Sequence, residues 1–327
     1  MKYVFWAVLL TVITTIISGL LILPLLKKLK AGQTVLKYVK IHENKNGTPT
    51  MGGLFFIIPS SLIYFLFFGF ENRLATLSVC IGLAYMCVGF LDDFIKVKFK
   101  KNEGLKPYQK IVFQTSIAII AGVFVWVNGL DVFYLPFSTV TIRLGIFCIP
   151  VVIIVFLAIT NSVNLTDGLD GLAGNSAIYY LIFLCLITHF QISRSGYLYN
   201  DVKEFENLIS LSCCLIGGLV GFLLFNVGKA SVFMGDTGSL SIGGFIGCVS
   251  IFSFNSLLIP FLGAVFLASA LSVIIQVVHF KKTGKRVFLM SPVHHHIQLL
   301  GYSEGKISYL YSLVTCIMGV LLLISYL

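Results

Sequence analysis

Long apolar runs separated by short polar segments dominate the pattern of the chain. The runs have about the 20 residues that an α-helix needs to cross the hydrocarbon core of a membrane. A membrane β-barrel would instead show segments of about ten residues with alternating polar and apolar positions. The pattern therefore predicts an all-α polytopic integral membrane protein with about ten transmembrane helices, forming a single domain over residues 1–327. The predicted spans are 3–26, 52–70, 74–91, 109–127, 142–160, 172–190, 207–225, 237–253, 257–279 and 307–326.

Composition supports the same class. The chain is 57% hydrophobic and 11% charged, whereas soluble domains carry about 25% charged residues. The first apolar run, at 3–26, is longer than the roughly 7–15 residues of a signal-peptide core, so a transmembrane helix is expected there. All eight cysteines lie in apolar runs without a CxxC pair, and we expect neither disulfides nor a zinc site. Turn residues and alternation in 128–141 predict a short β-hairpin on the outer face.

The basic residues predict an orientation. If the N-terminus lies outside, 18 of the 23 lysines and arginines fall on or beside the cytoplasmic connections. This asymmetry follows the positive-inside rule and places both termini outside. The charges are spread over several short segments beside the membrane, so a nucleic-acid partner is not expected.

Each predicted cytoplasmic segment also contains a polar cluster: 42–53, 91–96, 160–174, 225–239 and 291–301. Charged groups at the membrane boundary are costly and usually functional. We therefore expect one active-site cleft on the cytoplasmic face. The five carboxylates at this boundary are Asp92, Asp93, Asp167, Asp170 and Asp236.

Asp92 and Asp93 are adjacent, so on a helix their side chains point about 100° apart. This geometry predicts that they do not present their carboxylates side by side but have different roles. One would face a metal or reacting group, with Lys96 within reach of either. The alternative is a solvated, salt-bridged helix end.

The third cluster shows a spacing of three. Asn161, Asn164, Asp167 and Asp170 would form a polar stripe beside a glycine stripe that begins at Gly168 and lets a backbone or phosphate approach closely. The alternative is a capped loop in which Asn and Asp stabilise turns.

In the fourth cluster, Asp236 is either an N-cap or a ligand for a hard cation such as magnesium. Phe233 either packs in the apolar core or stacks on a base. In the fifth cluster, three consecutive histidines lack accompanying cysteines or spaced histidines, so donors to a phosphate group are favoured over zinc ligands.

Five motifs, GTPTMGG, LDDFIK, NSVNLTDGLDGLAG, VFMGDTGSL and SPVHHH, together resemble the polyprenyl-phosphate N-acetylhexosamine-1-phosphate transferases. The resemblance covers nearly the whole chain and favours the branch that uses a muramoyl-pentapeptide donor. It implies transfer of phospho-N-acetylmuramoyl-pentapeptide from UDP-MurNAc-pentapeptide to undecaprenyl phosphate, giving lipid I and UMP with Mg²⁺ as cofactor. This is the first membrane step of peptidoglycan synthesis, which serves cell-wall biogenesis, cell shape and cell division.

The resemblance further implies a multi-pass location in the bacterial inner membrane, a homodimer, and inhibition by nucleoside antibiotics. It gives Asp92, Asp93, Asp236, His294 and Lys96 catalytic roles, with Asp236 and Asp93 at the metal. The implied substrate- and nucleotide-binding residues are Lys45, Thr50, Asn161, Asn164, Asp167, Gly168, Asp170, Asn226, Phe233, Gln276 and His295.

The chain departs from the family pattern in two places. Lys229-Ala230-Ser231 precedes the fourth motif where the family usually has Pro-Ala-Lys, and Ile297-Gln298 follows the histidines in place of an aromatic residue and Glu. These changes leave open a related transferase that uses UDP-N-acetylglucosamine. A transporter is the non-enzyme alternative, but it predicts polar residues through the middle of the membrane rather than at one face.

Overall fold

The computed structural model describes residues 2–28, 47–99, 104–138, 140–194 and 199–326. A helix overlaps each of the ten predicted spans, and a short helix lies between the last two. The helices are α1 Lys2–Lys28, α2 Gly53–Phe68, α3 Arg73–Phe99, α4 Pro107–Val127, α5 Cys148–Thr166, α6 Leu172–Arg194, α7 Tyr199–Asn226, α8 Gly235–Phe252, α9 Ile259–Leu262, α10 Ala264–Thr283, α11 Val293–Leu299 and α12 Glu304–Tyr326.

Within the described ranges, eight helices are long and apolar enough to cross a membrane: α1, α3, α4, α5 with the preceding turn, α6, α7, α10 and α12. Helix α2 is apolar but shorter, with 16 residues, and α8 is not among the eight. Large apolar side chains such as Leu21, Leu66 and Ile274 are exposed on the helix surfaces, as expected where lipid replaces water. The protein is therefore an all-α polytopic membrane protein.

The predicted hairpin is confirmed. Strand β1, Val132–Tyr134, pairs antiparallel with β2, Thr141–Arg143, and Phe133 lies opposite Ile142. The predicted span 142–160 was wrong at its start, because residues 142 and 143 belong to β2. A 3₁₀ turn, Gly145–Phe147, follows the strand, and α5 begins at Cys148.

Helix α8 lies at the centre of the bundle, and every residue from Thr237 to Phe252 is buried. It packs mainly against α3 and α5. A Cβ at Gly89 on α3 would collide with the carbonyl group of Asp236, and a Cβ at Gly243 would lie 2.5 Å from the Cα of Thr160 on α5. Small residues thus bring these backbones close together, as is common for helices in membranes. The close packing brings the first turn of α8 against the polar ends of α3 and α5.

The two helices that carry Asp92 and Asn164 continue well past their predicted ends. Helix α3 continues past Leu91 to Phe99, and α5 continues past Thr160 to Thr166. Asp92 and Asp93 therefore lie within a helix rather than in a loop, and so do Asn161 and Asn164. The predicted span 257–279 is likewise two helices, α9 and α10, which meet at Gly263.

Candidate active site

Three carboxylates converge where α3 meets the first turn of α8. Asp92, Asp93 and Asp236 each offer an oxygen, and these oxygens all lie within 4.8 Å of one another. Asp92 and Asp93 are buried, with 3% and 2% of their surfaces exposed. Three acidic groups this close repel one another strongly unless cations offset them, so the surrounding charges decide whether the cluster is stable.

Two lysines supply part of that compensation. The Nζ of Lys96 lies 2.6 Å from Oδ2 of Asp92 and 3.2 Å from Oδ2 of Asp236. The Nζ of Lys110, on α4, lies 2.8 Å from the same oxygen of Asp236. Asp236 is thus paired from two helices, and the cluster forms a network rather than a solvated helix end.

Polar side chains on α5 and α4 complete the wall beside Asp236. Asn164 donates to Oδ1 of Asp236 at 2.6 Å and to the hydroxyl of Ser239 at 2.8 Å. One turn earlier on α5, Asn161 donates to Oε1 of Gln114 at 2.7 Å. The α4–α5 interface therefore presents two polar layers, and the layer with Asn164 contacts the carboxylates.

Asp92 and Asp93 have different partners, as predicted, but their carboxylates are closer than the helix argument allowed. Asp93 accepts from the backbone N–H and the hydroxyl of Thr237, at 3.0 and 2.7 Å. Asp92 accepts from the backbone N–H of Leu105 at 2.9 Å. The prediction that they cannot lie side by side was wrong, since one oxygen of each lies within 4.8 Å of the other. Lys96 forms its ion pairs with Asp92 and Asp236.

The N-cap interpretation of Asp236 was also wrong. The N-cap of α8 is Met234, and Asp236 lies inside the first turn with its carboxylate directed at Asn164 and the lysines. The preceding residue, Gly235, has a φ of 69°, a left-handed conformation that glycine adopts at no steric cost. A side chain there would also collide with Asp93 and Thr50.

The segment at 49–53 pairs with the chain that leads into α8. Phe233 donates its backbone N–H to the carbonyl of Pro49 at 2.8 Å and accepts from the N–H of Gly52 at 2.9 Å. Thr50 is buried in this segment, beside Gly235. Phe233 is half-buried. Lys45 lies outside the described residues.

The loop 167–171 connects α5 to α6. Burial raises the pKa of Asp167 well above its usual range, and the nearby carboxylates of Asp236 and Asp93 raise it further. Gly168 faces the Nε2 atoms of His294 and His295. The predicted polar stripe is interrupted here, because α5 ends at Thr166 and the chain turns before Asp170.

Asp170 and Asn226 hold loops in place through backbone groups. Asp170 accepts from the N–H of Ala230 at 3.1 Å. Asn226 accepts from the N–H of Gly171 at 2.9 Å and donates to the carbonyl of Val232 at 2.9 Å. Both residues therefore join the loop 167–171 to the segment that leads to Asp236.

The histidines lie on the short helix α11. His294 is fully buried, and its ring centre is 4.4 Å from that of His295 and 6.4 Å from that of Tyr311. Gln276, on α10, accepts from the N–H groups of Val287 and Phe288, both at 3.0 Å. The structure thus places Gln276 at the base of the segment that precedes the histidines, where it fixes that segment.

Sequence reasoning missed three side chains with prominent contacts here. Lys110 was counted only as an orientation signal, and Gln114 and Glu304 were not singled out. Lys110 and Gln114 are one turn apart on α4, so a polar stripe at the start of an apolar span was the available signal. Glu304 accepts from the N–H of Asp170 at 3.1 Å, and no sequence signal pairs residues 134 positions apart.

Comparison with known proteins gives this arrangement a chemical class. The model of glycosyl transferase family 4 matches residues 75–254, more than half of the chain. The fold and site are therefore those of a membrane glycosyl-1-phosphate transferase, and the chain belongs to that family. The first signature of the phospho-N-acetylmuramoyl-pentapeptide-transferases matches residues 45–57, which specifies the branch within it.

Full-length relatives agree with the signature. Phospho-N-acetylmuramoyl-pentapeptide-transferase from Clostridium novyi is 39% identical over 99% of this chain and 98% of its own length. The protein of the same name from Caldanaerobacter subterraneus is 41% identical over 96% of both chains. That from Clostridioides difficile is 36% identical over 96% of this chain and 95% of its own.

Proposed function

We propose that the protein transfers phospho-N-acetylmuramoyl-pentapeptide from UDP-MurNAc-pentapeptide to undecaprenyl phosphate, forming lipid I and releasing UMP. The activity for which its relatives are named supports the transferred group. The observation that carries the proposal is the cluster of Asp92, Asp93 and Asp236 compensated by two lysines. Such a centre suits phosphoryl transfer, in which positioning and charge stabilisation supply most of the catalysis.

The membrane arrangement in this proposal has ten spans, with α2 and α8 added to the eight long apolar helices. Both termini lie outside, and the cleft opens to the cytoplasm of a bacterial inner membrane. The excess of lysines and arginines on one set of connections supports this orientation. A single domain, assembled as a homodimer and bound by nucleoside antibiotics in the cleft, completes the proposal.

The carboxylates fit a hard divalent cation, and we assign it as Mg²⁺. Magnesium favours one or two protein carboxylates together with phosphate oxygens, and Asp236 with Asp93 would supply them. When bound, the ion would neutralise charge on the diphosphate of the donor. Lys96 and Lys110 both form ion pairs with Oδ2 of Asp236. The cation and the two lysines would therefore together offset the negative charge of the carboxylates.

The reacting bonds follow from the chemistry of the two substrates. An oxygen of undecaprenyl phosphate attacks the β-phosphorus of the donor, the bond from that phosphorus to the bridging oxygen breaks, and UMP leaves with the electron pair. Asp92 keeps the lipid phosphate fully ionised, while Asn164 and the two lysines hold Asp236. On the donor side, Phe233 stacks on uracil. The loop 167–171 and the histidines, which pack against each other at Gly168, form one wall of the donor site.

A two-step route has an aspartate attack first and gives a covalent phospho-enzyme. Rapid-quench experiments with donor labelled at the β-phosphate separate the routes. Labelled protein after UMP release supports two steps, and unlabelled protein throughout turnover supports direct transfer.

The donor is tested with purified protein, undecaprenyl phosphate, MgCl₂ and either UDP-MurNAc-pentapeptide or UDP-N-acetylglucosamine. We expect UMP release and a lipid product with the first donor and neither with the second. Turnover of UDP-N-acetylglucosamine alone would contradict the proposal in favour of the related transferase. Omission of divalent cations, with EDTA present, is expected to abolish turnover.

A further inference from the structure

Three side chains beside the loop 167–171, the donor loop, form a hydrogen-bonded row. Nε2 of Gln298 donates to Oε1 of Glu304 at 3.4 Å, and Oε1 of Gln298 lies 3.3 Å from Nδ1 of His295. The other oxygen of Glu304 accepts from the N–H of Asp170 at 3.1 Å. The row therefore connects the first residue of α12 to the histidine helix and to the loop 167–171.

The chemistry of Glu304 fixes the direction of every bond in this row. A glutamate side chain is a carboxylate at the pH of the test, and a carboxylate only accepts hydrogen bonds. The amide nitrogen of Gln298 must therefore face Glu304, which turns the amide oxygen toward His295. Since that oxygen also only accepts, Nδ1 of His295 must carry the hydrogen. A hydrogen bond at one ring nitrogen sets the protonation of the other.

We propose that Glu304 and Gln298 are positioning residues that hold the neutral ring of His295 in its Nδ1–H form. The nitrogen that gains and loses a proton is then Nε2, which faces Gly168 in the donor loop. In the neutral form Nε2 accepts a hydrogen bond from bound substrate, and in the protonated form it donates one to a phosphate oxygen. Only this consequence for turnover rests on the proposed function, since the tautomer is a property of the protein itself.

The isosteric variant Glu304→Gln tests the direction of the row. The new amide must accept from the N–H of Asp170 through its oxygen, so its nitrogen donates to Gln298. Gln298 then turns its own nitrogen toward His295, and Nδ1 becomes an acceptor. The measurement is ¹⁵N NMR of the full-length protein, labelled at histidine, at a pH of about 8.5, two units above the usual histidine pKa. Substitution of His295 by Asn assigns its signals, and exposed His279 is the internal reference.

We expect Nδ1–H in the wild type and Nε2–H in Glu304→Gln. The double exchange Gln298→Glu with Glu304→Gln restores a carboxylate next to His295 and an amide that donates to it, so Nδ1–H should return. An Nε2–H tautomer in the wild type, or the same tautomer in all three proteins, would overturn the proposal.

The kinetic consequence is read separately. We expect kcat/KM for the donor to fall about tenfold in Glu304→Gln and to recover in the double exchange. A fall in both variants would show that Glu304 acts only through its own contacts, which contradicts positioning through Gln298. A wild type that turns over neither UDP-sugar would contradict the proposed function, whereas the NMR comparison would still decide the tautomer.

Discussion

The carboxylate centre and the donor loops are built in opposite ways; the donor loops are the segments 167–171, 227–234 and 284–292. At the centre, side chains from long helices contact one another directly, as Lys110 and Asn164 contact Asp236. In the loops, polar side chains mostly bind backbone groups, as Asp170 binds the N–H of Ala230 and Gln276 binds that of Val287. The two regions therefore depend on different kinds of bond.

Resemblance to the family assigns the predicted site residues to one active site, but their contacts divide them into two groups. Asp92, Asp93 and Asp236 direct their carboxylates at one shared point, where a reacting group or cation can bind. Asn226 is buried and uses both ends of its amide on backbone groups. We therefore expect substitutions at the centre to lower kcat and substitutions in the loops to raise the KM for the donor.

The largest effect is expected for Asp236→Asn. The amide keeps the size of the side chain but removes one negative charge, so the centre loses the group that both lysines and the proposed cation share. We expect kcat to fall by about 10²–10³-fold, the cost of losing one preorganised electrostatic group. The measurement is UMP release at saturating donor and lipid.

Asp131→Asn is the matched control, because Asp131 accepts from the N–H of Gly145 near the hairpin, away from the carboxylate centre. Its kcat should stay within about twofold, because the new amide still offers an oxygen acceptor to the N–H of Gly145 and the substitution removes no charge from the carboxylate centre. Asp236→Asn that keeps a tenth of wild-type kcat would contradict the assignment of Asp236 to the reaction centre.

A smaller effect is expected for Lys110→Met, which removes a charge-assisted hydrogen bond of 2.8 Å from Asp236 but leaves Lys96 in place. Such bonds contribute roughly 1.5–3 kcal/mol, so kcat/KM should fall about 10–100-fold. Lys110→Arg keeps the charge and should recover most of the lost kcat/KM. Steady-state kinetics of both variants are compared with Lys98→Met, an exposed lysine on α3; equal losses in Lys110→Met and Lys98→Met would show that only net charge matters.

Hydropathy was sufficient to predict the membrane class and the approximate location of the long helices, and turn residues with alternating positions predicted the hairpin. They misplaced the ends of α3 and α5, because Asp92 and Asn164 are polar by sequence yet bonded inside the protein. A polar residue whose bonds are satisfied within the bundle does not end a helix. That information depends on partners that sequence distance does not reveal.

Prediction of the site had the same limit, because it did not reveal partners that are distant in sequence. The motifs identified the carboxylates because acidic residues next to an apolar run can be recognised within a single segment of the sequence. Lys110 is 126 residues from Asp236 and Glu304 is 134 from Asp170. These pairs form only because α4 packs against α5 and α12 lies beside the donor loop. Resemblance transferred roles to positions, whereas the structure shows whether each side chain contacts the centre or a backbone.

The smallest effect, and the sharpest test of the loop side, is expected for Gln276→Leu. The leucine removes two acceptor bonds to the N–H groups of Val287 and Phe288 and one donor bond to the carbonyl of Phe288. A neutral hydrogen bond contributes about 1 kcal/mol net, and the freed segment remains accessible to water. We therefore expect the KM for the donor to rise about 3–10-fold with kcat within about twofold.

Gln276→Glu is the matched variant, because it keeps both acceptor bonds and loses only the donor bond to Phe288. Initial rates over a range of donor concentration should give it a KM between those of the wild type and Gln276→Leu. If Gln276→Leu instead lowers kcat as strongly as Asp236→Asn, the segment that precedes the histidines is part of the reaction centre. The division between a centre that sets kcat and loops that set KM would then be wrong.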